Sequence, residues 1–178
     1  MSQSLVVGGY SMFTIRYLEH KNLTEDVLID IIHVKSISWN YNYEEHQKWI
    51  ELNLKENDIH FLLYSEEKLM AYLNLIPIEI KIDEIVNFGY GIGNVCSVEK
   101  GKGWGVKLMM HVNEYLRNEN KIGLLFCKET LVKFYLKNCW KKVDVTNNLI
   151  NFSDNGVFSF IYPPNIDFEY MEYNGKLF

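Results

Sequence analysis

Residues 95–106 constrain the fold more than any other stretch, because glycines and lysines there separate an apolar segment from an amphipathic one. Gly101, Gly103 and Gly105 stand at alternate positions, and glycine allows a tight turn in which several backbone N–H groups point into one concavity. Apolar residues then recur at helical spacing: Trp104, Leu108, Met109, Val112, Tyr115 and Leu116. The pattern predicts a strand, a turn and a helix whose positive end faces the turn, which is a binding site for an anion such as pyrophosphate.

The spacing of these glycines does not match the common nucleotide-binding loops. In a dinucleotide fingerprint counted from Gly101, the third glycine position holds Val106, and a P-loop would end in Gly-Lys-Ser or Gly-Lys-Thr rather than Gly-Lys-Gly. The pattern Lys100-x-x-Gly103-x-Gly105 instead resembles the acetyl-CoA motif of the GNAT acetyltransferase superfamily, in which Arg or Gln usually stands first. A glycine-rich turn without a ligand is the alternative that the loop alone leaves open.

Composition sets limits on the class of protein. With 178 residues, the chain is expected to form one domain, residues 1–178, with its own core. A net charge of −5 disfavours general nucleic-acid binding, which depends on a basic face. The three cysteines, Cys96, Cys127 and Cys139, are odd in number and indicate neither a disulfide framework nor a metal cluster.

No segment of the sequence is typical of a membrane protein or a secreted one. The apolar runs are shorter than the roughly 18 residues that span a bilayer. The first ten residues lack the basic region and the long apolar stretch of a signal peptide. We therefore expect a cytoplasmic protein that does not bind membranes.

Hydrophobic periodicity and turn residues predict the remaining elements. Helices are expected after Thr24, which would cap the first, and after Asn42, which would form a capping box with Glu45. A third short helix is expected at 129–138, and an Asn-Gly hairpin at 153–156. Strands are predicted at 12–17, 60–64, 69–80, 85–98, 122–127, 140–145, 149–152 and 157–161.

The strand at 85–98 carries glycines on one face. Gly89, Gly91 and Gly93 alternate, and glycine weakens a strand unless something approaches its backbone closely. A ligand lying against this face is the favoured interpretation, because the strand leads directly into the glycine loop. A bulge or a barrel-like bend is the alternative.

The order of elements resembles the GNAT fold along nearly the full chain. That resemblance implies an α/β (α+β) protein with a central mixed, mostly antiparallel sheet flanked by helices. A second marker agrees: GNAT proteins commonly have an aromatic-Tyr pair followed by Gly-Phe, and here Phe134-Tyr135 is followed by Cys139-Trp140. The tyrosine and the second aromatic residue match, whereas Cys139 replaces the glycine.

A closer resemblance, mostly after Phe88, is to the aminoglycoside 2'-N-acetyltransferases. It rests on Lys-Ile-Gly-Leu-Leu-Phe-Cys at 121–127, Phe-Tyr-Leu-Lys-Asn-Cys-Trp at 134–140, the Asp-Asn-Gly hairpin running to Tyr162-Pro163, and an aromatic ending. The chain departs from that family at the strand glutamate that serves the acceptor amine, whose position here is Gly91 or Ile92. It also has Lys176 in place of an acidic residue and Phe178 in place of a tryptophan.

The resemblance implies acetyl-CoA as cosubstrate and no metal. The strand residues Asn94, Val95, Cys96 and Ser97 would pair with the pantetheine arm, and a backbone N–H there would polarise the thioester carbonyl. The pyrophosphate would be held by Lys100, Gly101, Lys102, Gly103, Trp104 and Gly105. Tyr135 would be the general acid for the departing thiolate.

The acceptor is expected to be a small-molecule amine, with an aminoglycoside as the leading candidate. Its binding residues are predicted to be Asp154, Glu172 and Phe178, with Glu44 and Glu45 as further candidates. No general base is identified, since His33, His46 and His111 are expected at the surface. An amino-sugar, a polyamine or a peptide are alternative acceptors, and a non-catalytic acetyl-CoA-binding module is an alternative function. Homodimers are common in the superfamily, and the aromatic tail is a candidate dimer surface.

Overall fold

The computed structural model describes residues 2–8, 11–143, 148–150 and 156–178. Two compact units divide the chain. The first contains residues 1–76 and 94–112, and the second contains residues 77–93 and 113–178. Each unit is therefore built from two separate stretches of sequence. That residues 1–178 form one domain stays a prediction.

Fourteen helices and strands are found within the described residues, and two single turns of 3-10 helix, His20–Asn22 and Glu129–Leu131, accompany them. The elements up to the third helix are β1 (Ser2–Gly8), β2 (Ser11–Glu19), α1 (Glu25–Ser38), α2 (Tyr43–Asn53), β3 (Ile59–Ser65), β4 (Lys68–Ile82), β5 (Ile85–Ser97) and α3 (Trp104–Asn118). The later elements are β6 (Ile122–Lys128), α4 (Val132–Lys137), β7 (Lys141–Lys142), β8 (Asn148–Ile150), β9 (Val157–Tyr162) and β10 (Met171–Tyr173). Strand β1 has no counterpart among the predicted strands.

The start of α2 matches its predicted cap more fully than the start of α1 does. The capping box of α2 is confirmed, because Glu45 N donates to Asn42 Oδ1 over 2.9 Å and Asn42 N donates to Glu45 Oε2 over 2.8 Å. Helix α1 begins after its N-cap residue Thr24 as predicted, although the Thr24 side chain makes no capping hydrogen bond. Glu25 and Asp26 remain in the first turn, where the helix dipole favours their charge.

Two tight turns set the register of the long strands. Glu66 and Glu67 connect β3 to β4 with φ angles of 49° and 65°, and Asp83 and Glu84 connect β4 to β5 with φ angles of 45° and 69°. Two consecutive residues with positive φ are typical of the type I′ turn, whose twist matches that of a hairpin. Both turns therefore have the backbone geometry of a two-residue hairpin connection.

In hydrogen-bonding order the strands are β1-β2-β3-β4-β5-β6-β9-β7, and β10 pairs with both β4 and β8. The β5–β6 and β8–β10 ladders are parallel. The ladders β1–β2, β2–β3, β3–β4, β4–β10, β6–β9 and β7–β9 are antiparallel. The predicted mixed, mostly antiparallel sheet with helices is confirmed.

Each unit has its own apolar core. In the first unit, residues of α1 and α2 pack on side chains of β2 to β5, and the cluster contains Leu18, Ile31, Ile32, Val34, Ile50, Leu54, Leu62, Tyr64, Leu69, Tyr72 and Cys96. In the second unit the cluster contains Ile80, Ile82, Leu124, Val143, Ile161, Met171 and Tyr173. Burying such surfaces is the main favourable term in folding.

The last third of the chain differs most from the predicted elements. The helix expected at 129–138 is a 3-10 turn followed by α4, which has only six residues. Strand β7 has two residues, and β8 pairs with β10. Of the predicted hairpin at 153–156, only Gly156 belongs to the described residues, and it has a positive φ of 118°.

Candidate functional site

The glycine loop joins β5 to α3 as the sequence predicts. Gly101 and Gly103 have φ angles of 79° and 81°, a region that favours glycine. A Cβ atom added at either position would meet no heavy atom within 4 Å. Lys100 and Lys102 are exposed beside them. The loop therefore has an open surface, two flexible cations and a backbone shaped by positive φ angles.

Helix α3 starts directly after this loop. The backbone N–H of Lys107 donates to the Gly103 carbonyl over 3.0 Å, so Gly103 is tied into the first turn. The Lys107 ammonium lies 4.4 Å from the centre of the Trp104 ring and 5.0 Å from that of Phe13. The predicted inner face is confirmed, since Leu108, Met109, Val112 and Leu116 are fully buried. This packing fixes the helix N-terminus, whose free N–H groups favour an anion.

Strand β5 contains an irregularity that the sequence analysis missed. Its parallel ladder with β6 runs from Gly89 to Ile92, although the strand continues to Ser97. Asn94, two residues after the ladder ends, has a φ of 53°. A left-handed residue within a strand interrupts the alternation of side chains, as in a β-bulge. The only signal in the sequence was an asparagine, the residue other than glycine that best tolerates this conformation.

The remaining strand residues offer backbone groups rather than reactive side chains. Val95 and Ser97 are half-buried, whereas Cys96 packs in the core of the first unit. Burial raises the pKa of the Cys96 thiol to about 12, and the nearby Lys35 lowers it only in part. Cys96 is thus a protonated, unreactive thiol at neutral pH.

Tyr135 lies on α4 in the second unit. Its ring packs at 5.8 Å from the Phe160 ring and 5.0 Å from the Phe134 ring, and 4% of the residue is exposed. Burial, and secondly the nearby Cys127, raise the pKa of the Tyr135 phenol. The phenol therefore keeps its proton at neutral pH, which a general acid requires. Its catalytic role stays a prediction.

A network of buried amides holds the end of α4, and the sequence analysis missed it. Trp140 Nε1 donates to Asn113 Oδ1 over 3.0 Å, and Asn113 Nδ2 donates to the Asn138 carbonyl over 2.9 Å. Asn138 Nδ2 donates to the Phe134 carbonyl over 2.8 Å. These bonds join the last turn of α4 to α3 inside the second unit. Fully satisfied buried networks of this kind fix a single local arrangement.

Cys139 stands where the aromatic-Tyr…Gly-Phe pattern has glycine, and it adopts the backbone conformation of that glycine. This residue follows α4 with a φ of 65°, the left-handed conformation that glycine usually supplies after a helix. The next N–H, of Trp140, donates to the Tyr135 carbonyl over 3.1 Å. The helix ending is thus preserved although the glycine is absent, at a conformational cost.

At two of its three glycines, Gly89 and Gly91, the glycine face of β5 is filled by the protein itself. A Cβ atom at Gly89 would lie 2.2 Å from the carbonyl oxygen of Ile122, and one at Gly91 would lie 2.2 Å from the Phe178 ring. The prediction that a ligand lies against this face is therefore wrong at these two positions. Ile92, the other position aligned with the family's glutamate, is an apolar side chain with 2% exposure.

The predicted acceptor residues are only partly described. Asp154 lies outside the described residues. The Glu172 carboxylate accepts hydrogen bonds from Asn174 Nδ2 (2.5 Å) and the Tyr170 hydroxyl (3.3 Å), and lies 4.0 Å from Lys81 Nζ. The Phe178 ring packs against Phe126 with a centroid distance of 5.2 Å. Glu172 and Phe178 both lie in the second unit, and their binding of an acceptor stays a prediction.

Histidine positions differ from the expectation that all three candidates lie at the surface. His33 is exposed. His46 is 2% exposed, with its ring against the Trp39 carbonyl, and His111 is 7% exposed, with its ring 5.7 Å from that of Phe13. The expectation is wrong for these two, because both helices turn those positions into the core.

Within the described ranges, no group of three or more His, Cys, Asp or Glu side chains could hold a metal ion. The same ranges contain no helix long and apolar enough to cross a membrane.

Solved structures provide the comparison with known proteins, since no protein-family model and no curated protein matches the sequence. Escherichia coli ElaA is 20% identical with a TM-score of 0.59, covering 84% of this chain and 99% of its own. An acyl-CoA N-acyltransferase from Pseudomonas aeruginosa is 17% identical with a TM-score of 0.59, covering 83% and 97%. The PaiA N-acetyltransferase from Thermoplasma acidophilum, solved with coenzyme A, is 16% identical with a TM-score of 0.54, covering 83% and 97%. The chain therefore has the GNAT acyltransferase fold.

Proposed function

We propose that this protein is an acetyl-CoA-dependent N-acetyltransferase that moves an acetyl group directly to a primary amine of a small molecule. The observation that carries the proposal is the loop between β5 and α3. Gly101 and Gly103 have positive φ angles there, their surface is open, and the loop ends at the N-terminus of a helix of 15 residues. Backbone N–H groups and a helix N-terminus together favour a pyrophosphate.

Strand β5 would bind the pantetheine arm. Its ladder with β6 ends at Ile92, so the backbone groups of residues 94–97 are not used by that ladder. An extended ligand with amide groups can pair with such a strand as an added strand would. One N–H group of this segment would polarise the thioester carbonyl, a contribution worth roughly a hundredfold or more in rate at comparable sites.

The reaction needs a neutral amine and a protonated leaving group. The amine nitrogen forms a bond to the thioester carbon, the carbon–sulfur bond breaks, the nitrogen loses a proton and the thiolate gains one. Tyr135 would supply the proton to the thiolate, which is consistent with a phenol whose raised pKa keeps it protonated. The lysines of the loop would act as point charges, because the backbone supplies the directional bonds.

The first acceptor to test is the 2'-amine of an aminoglycoside, on the strength of the sequence resemblance after Phe88. Amino-sugars, polyamines and peptides follow, because Gly91 and Ile92 provide no carboxylate at the position of the family's strand glutamate. The second candidate function is a non-catalytic acetyl-CoA-binding module. The burial of Tyr135, with 4% exposure, is the observation that favours it.

Release of free CoA from acetyl-CoA tests the proposal, using purified protein, a panel of these amines and mass spectrometry of any product. Turnover of one amine, with the acetyl group on its nitrogen, is the expected result. Tyr135→Phe should lower kcat at saturating acetyl-CoA by about a hundredfold, the usual scale of general acid catalysis. Tyr17→Phe, which also removes one phenol, is the matched control and should leave turnover unchanged.

The outcomes separate the alternatives. Unchanged turnover in Tyr135→Phe would remove the role assigned to that residue. Acetyl-CoA binding without turnover of any amine would favour the binding module. A protein that does not bind acetyl-CoA at all would contradict both functions.

A further inference from the structure

Asn94 needs support from its surroundings. Its φ of 53° is uncommon for a residue with a side chain, and it lies within a strand rather than in a turn. Such a conformation costs of order 1 kcal/mol and persists only where neighbouring groups hold it.

Two side chains of the first unit bind the Asn94 amide from opposite ends. Lys35 Nζ, from α1, donates to Asn94 Oδ1 over 2.8 Å. Asn94 Nδ2 donates to Asn74 Oδ1, on β4, over 2.7 Å. Lys35 is 2% exposed and Asn74 is 0% exposed. Because both ends of the amide are fixed by buried partners, its plane has little freedom to rotate.

Buried Lys35 makes a hydrogen bond to Asn94 and no ion pair with a described residue. The part of the chain that the structure describes places no carboxylate within 4.0 Å of its ammonium. The ammonium lies over the Trp49 ring at 4.1 Å and near the Trp39 ring at 5.7 Å. Burial lowers the pKa of Lys35 to about 8. Removing an ammonium group from water without pairing it with a carboxylate costs free energy. The hydrogen bond from Lys35 to Asn94 offsets part of that cost.

Asn74 is also a buried polar residue whose hydrogen-bonding groups are only partly paired. Its Oδ1 accepts from Asn94, but its buried Nδ2 has no hydrogen-bonding partner among the described residues. A leucine of similar size would avoid that cost in an apolar core. Both polar residues therefore stand at positions where packing alone would favour apolar side chains, and both contact Asn94.

We propose that Lys35 and Asn74 are positioning residues that hold Asn94 in its left-handed conformation and so orient toward acetyl-CoA those backbone N–H groups of residues 94–97 that point away from β4. This inference rests on the proposed function, in which those N–H groups bind pantetheine and the thioester carbonyl. Lys35 and Asn74 act through Asn94 and need not touch the ligand. Any substitution that frees the Asn94 amide should therefore change the same kinetic constants.

The test combines a substitution at Lys35 with one at Asn94. Lys35→Met keeps the length of the side chain and removes the hydrogen bond; it should lower kcat/KM by roughly tenfold or more, since a misplacement of about 1 Å can cost a hundredfold. Asn94→Gly keeps a residue that adopts positive φ freely, without the amide. In the Asn94→Gly background, Lys35→Met should have no further effect on kcat/KM. Lys48→Met, at an exposed lysine of α2, is the control and should match the wild type.

Backbone conformation gives a second readout that does not depend on the ligand. NMR couplings that report φ at Asn94 should show the left-handed value in the wild type and a shift toward negative φ in Lys35→Met. An unchanged φ in Lys35→Met would overturn the positioning role, as would an equal loss of kcat/KM in both backgrounds. If the wild type fails to bind acetyl-CoA but φ still depends on Lys35, the proposed function falls and the conformational role of Lys35 stands.

Discussion

The two halves of β5 depart from an ordinary strand for different reasons. In the first half, Gly89 and Gly91 leave room for atoms of the protein, the Ile122 carbonyl and the Phe178 ring. In the second half and the loop beyond it, Asn94, Gly101 and Gly103 have positive φ angles, and the two glycines face open space. Glycine is thus required for its small volume in one place and for its backbone freedom in the other. Substitutions should therefore damage stability in the first half and ligand binding in the second.

The largest effect is expected from Gly89→Ala. The new Cβ would lie 2.2 Å from a backbone oxygen of β6, and backbone cannot move aside as a flexible side chain can. We expect a loss of about 3 kcal/mol in the free energy of unfolding, at the upper end of overpacking costs. Urea denaturation would measure it. Val86→Ala, at an exposed position of the same strand, should change stability little, and a similarly small effect of Gly89→Ala would contradict the volume argument.

Gly91→Ala should cost less, because its neighbour is a side chain. The Phe178 ring would be displaced, at an expected cost of about 2 kcal/mol. In a Phe178→Ala background the same substitution should cost clearly less, with a coupling energy of about 1 kcal/mol in a double-mutant cycle. Additive effects of the two substitutions would show that the ring is not what requires glycine.

In the loop, Gly103→Ala should have a small effect on stability and a large one on binding. The left-handed conformation costs an alanine about 1 kcal/mol. Relaxing that strain would turn the loop N–H groups away from the pyrophosphate, so acetyl-CoA should bind more weakly by calorimetry. Gly156→Ala, at a φ of 118° with equally open space, is the matched control. It should lose at least as much stability, because a φ of 118° is further from the left-handed region open to alanine, and it should keep the affinity. Unaltered affinity in Gly103→Ala would exclude this loop as the pyrophosphate site.

The smallest effect, and the only gain, is expected from Cys139→Gly. Cys139 is exposed and has a φ of 65°, so glycine would relieve strain and remove little packing. The free energy of unfolding should rise by up to about 1 kcal/mol, partly offset by the greater freedom of glycine in the unfolded chain. Cys139→Ser keeps the strain and should show no gain. Equal stability of the two variants would indicate that the helix ending is unstrained.

Local patterns in the sequence predicted those features that depend on near neighbours. The capping box at Asn42 and the strand–loop–helix around Gly103 involve residues a few positions apart, and both are confirmed. The fold class was predicted from the resemblance of the element order to the GNAT fold, and it is confirmed. The binding of acetyl-CoA by the loop and the role of Tyr135 stay predictions.

Contacts between distant residues could not be predicted in this way. Lys35 and Asn74 reach Asn94 across 59 and 20 positions, and nothing in their spacing indicates a shared amide. The glycine face of β5 was misinterpreted because a small residue leaves room for any neighbour, and the sequence does not say whether that neighbour is a ligand or Phe178.

The burial of His46 and His111 is a different kind of error, because a local pattern indicated it. His46 stands three and four positions before Trp49 and Ile50, and His111 stands three positions after Leu108, so helical spacing places both histidines beside apolar residues.

The parallel ladder from Gly89 to Ile92 restricts the conformational freedom of the chain that joins β5 to β6. The glycine loop and α3 form the crossover between the two strands of that ladder, which pairs Gly89 with Ile122 and Ile92 with Leu125. The ends of the crossover are held together only once the ladder forms, and closing it costs entropy before any ligand arrives. Folding therefore meets part of the ordering cost that ligand binding would otherwise carry, and under the proposed function a weakened ladder should lower the affinity for acetyl-CoA.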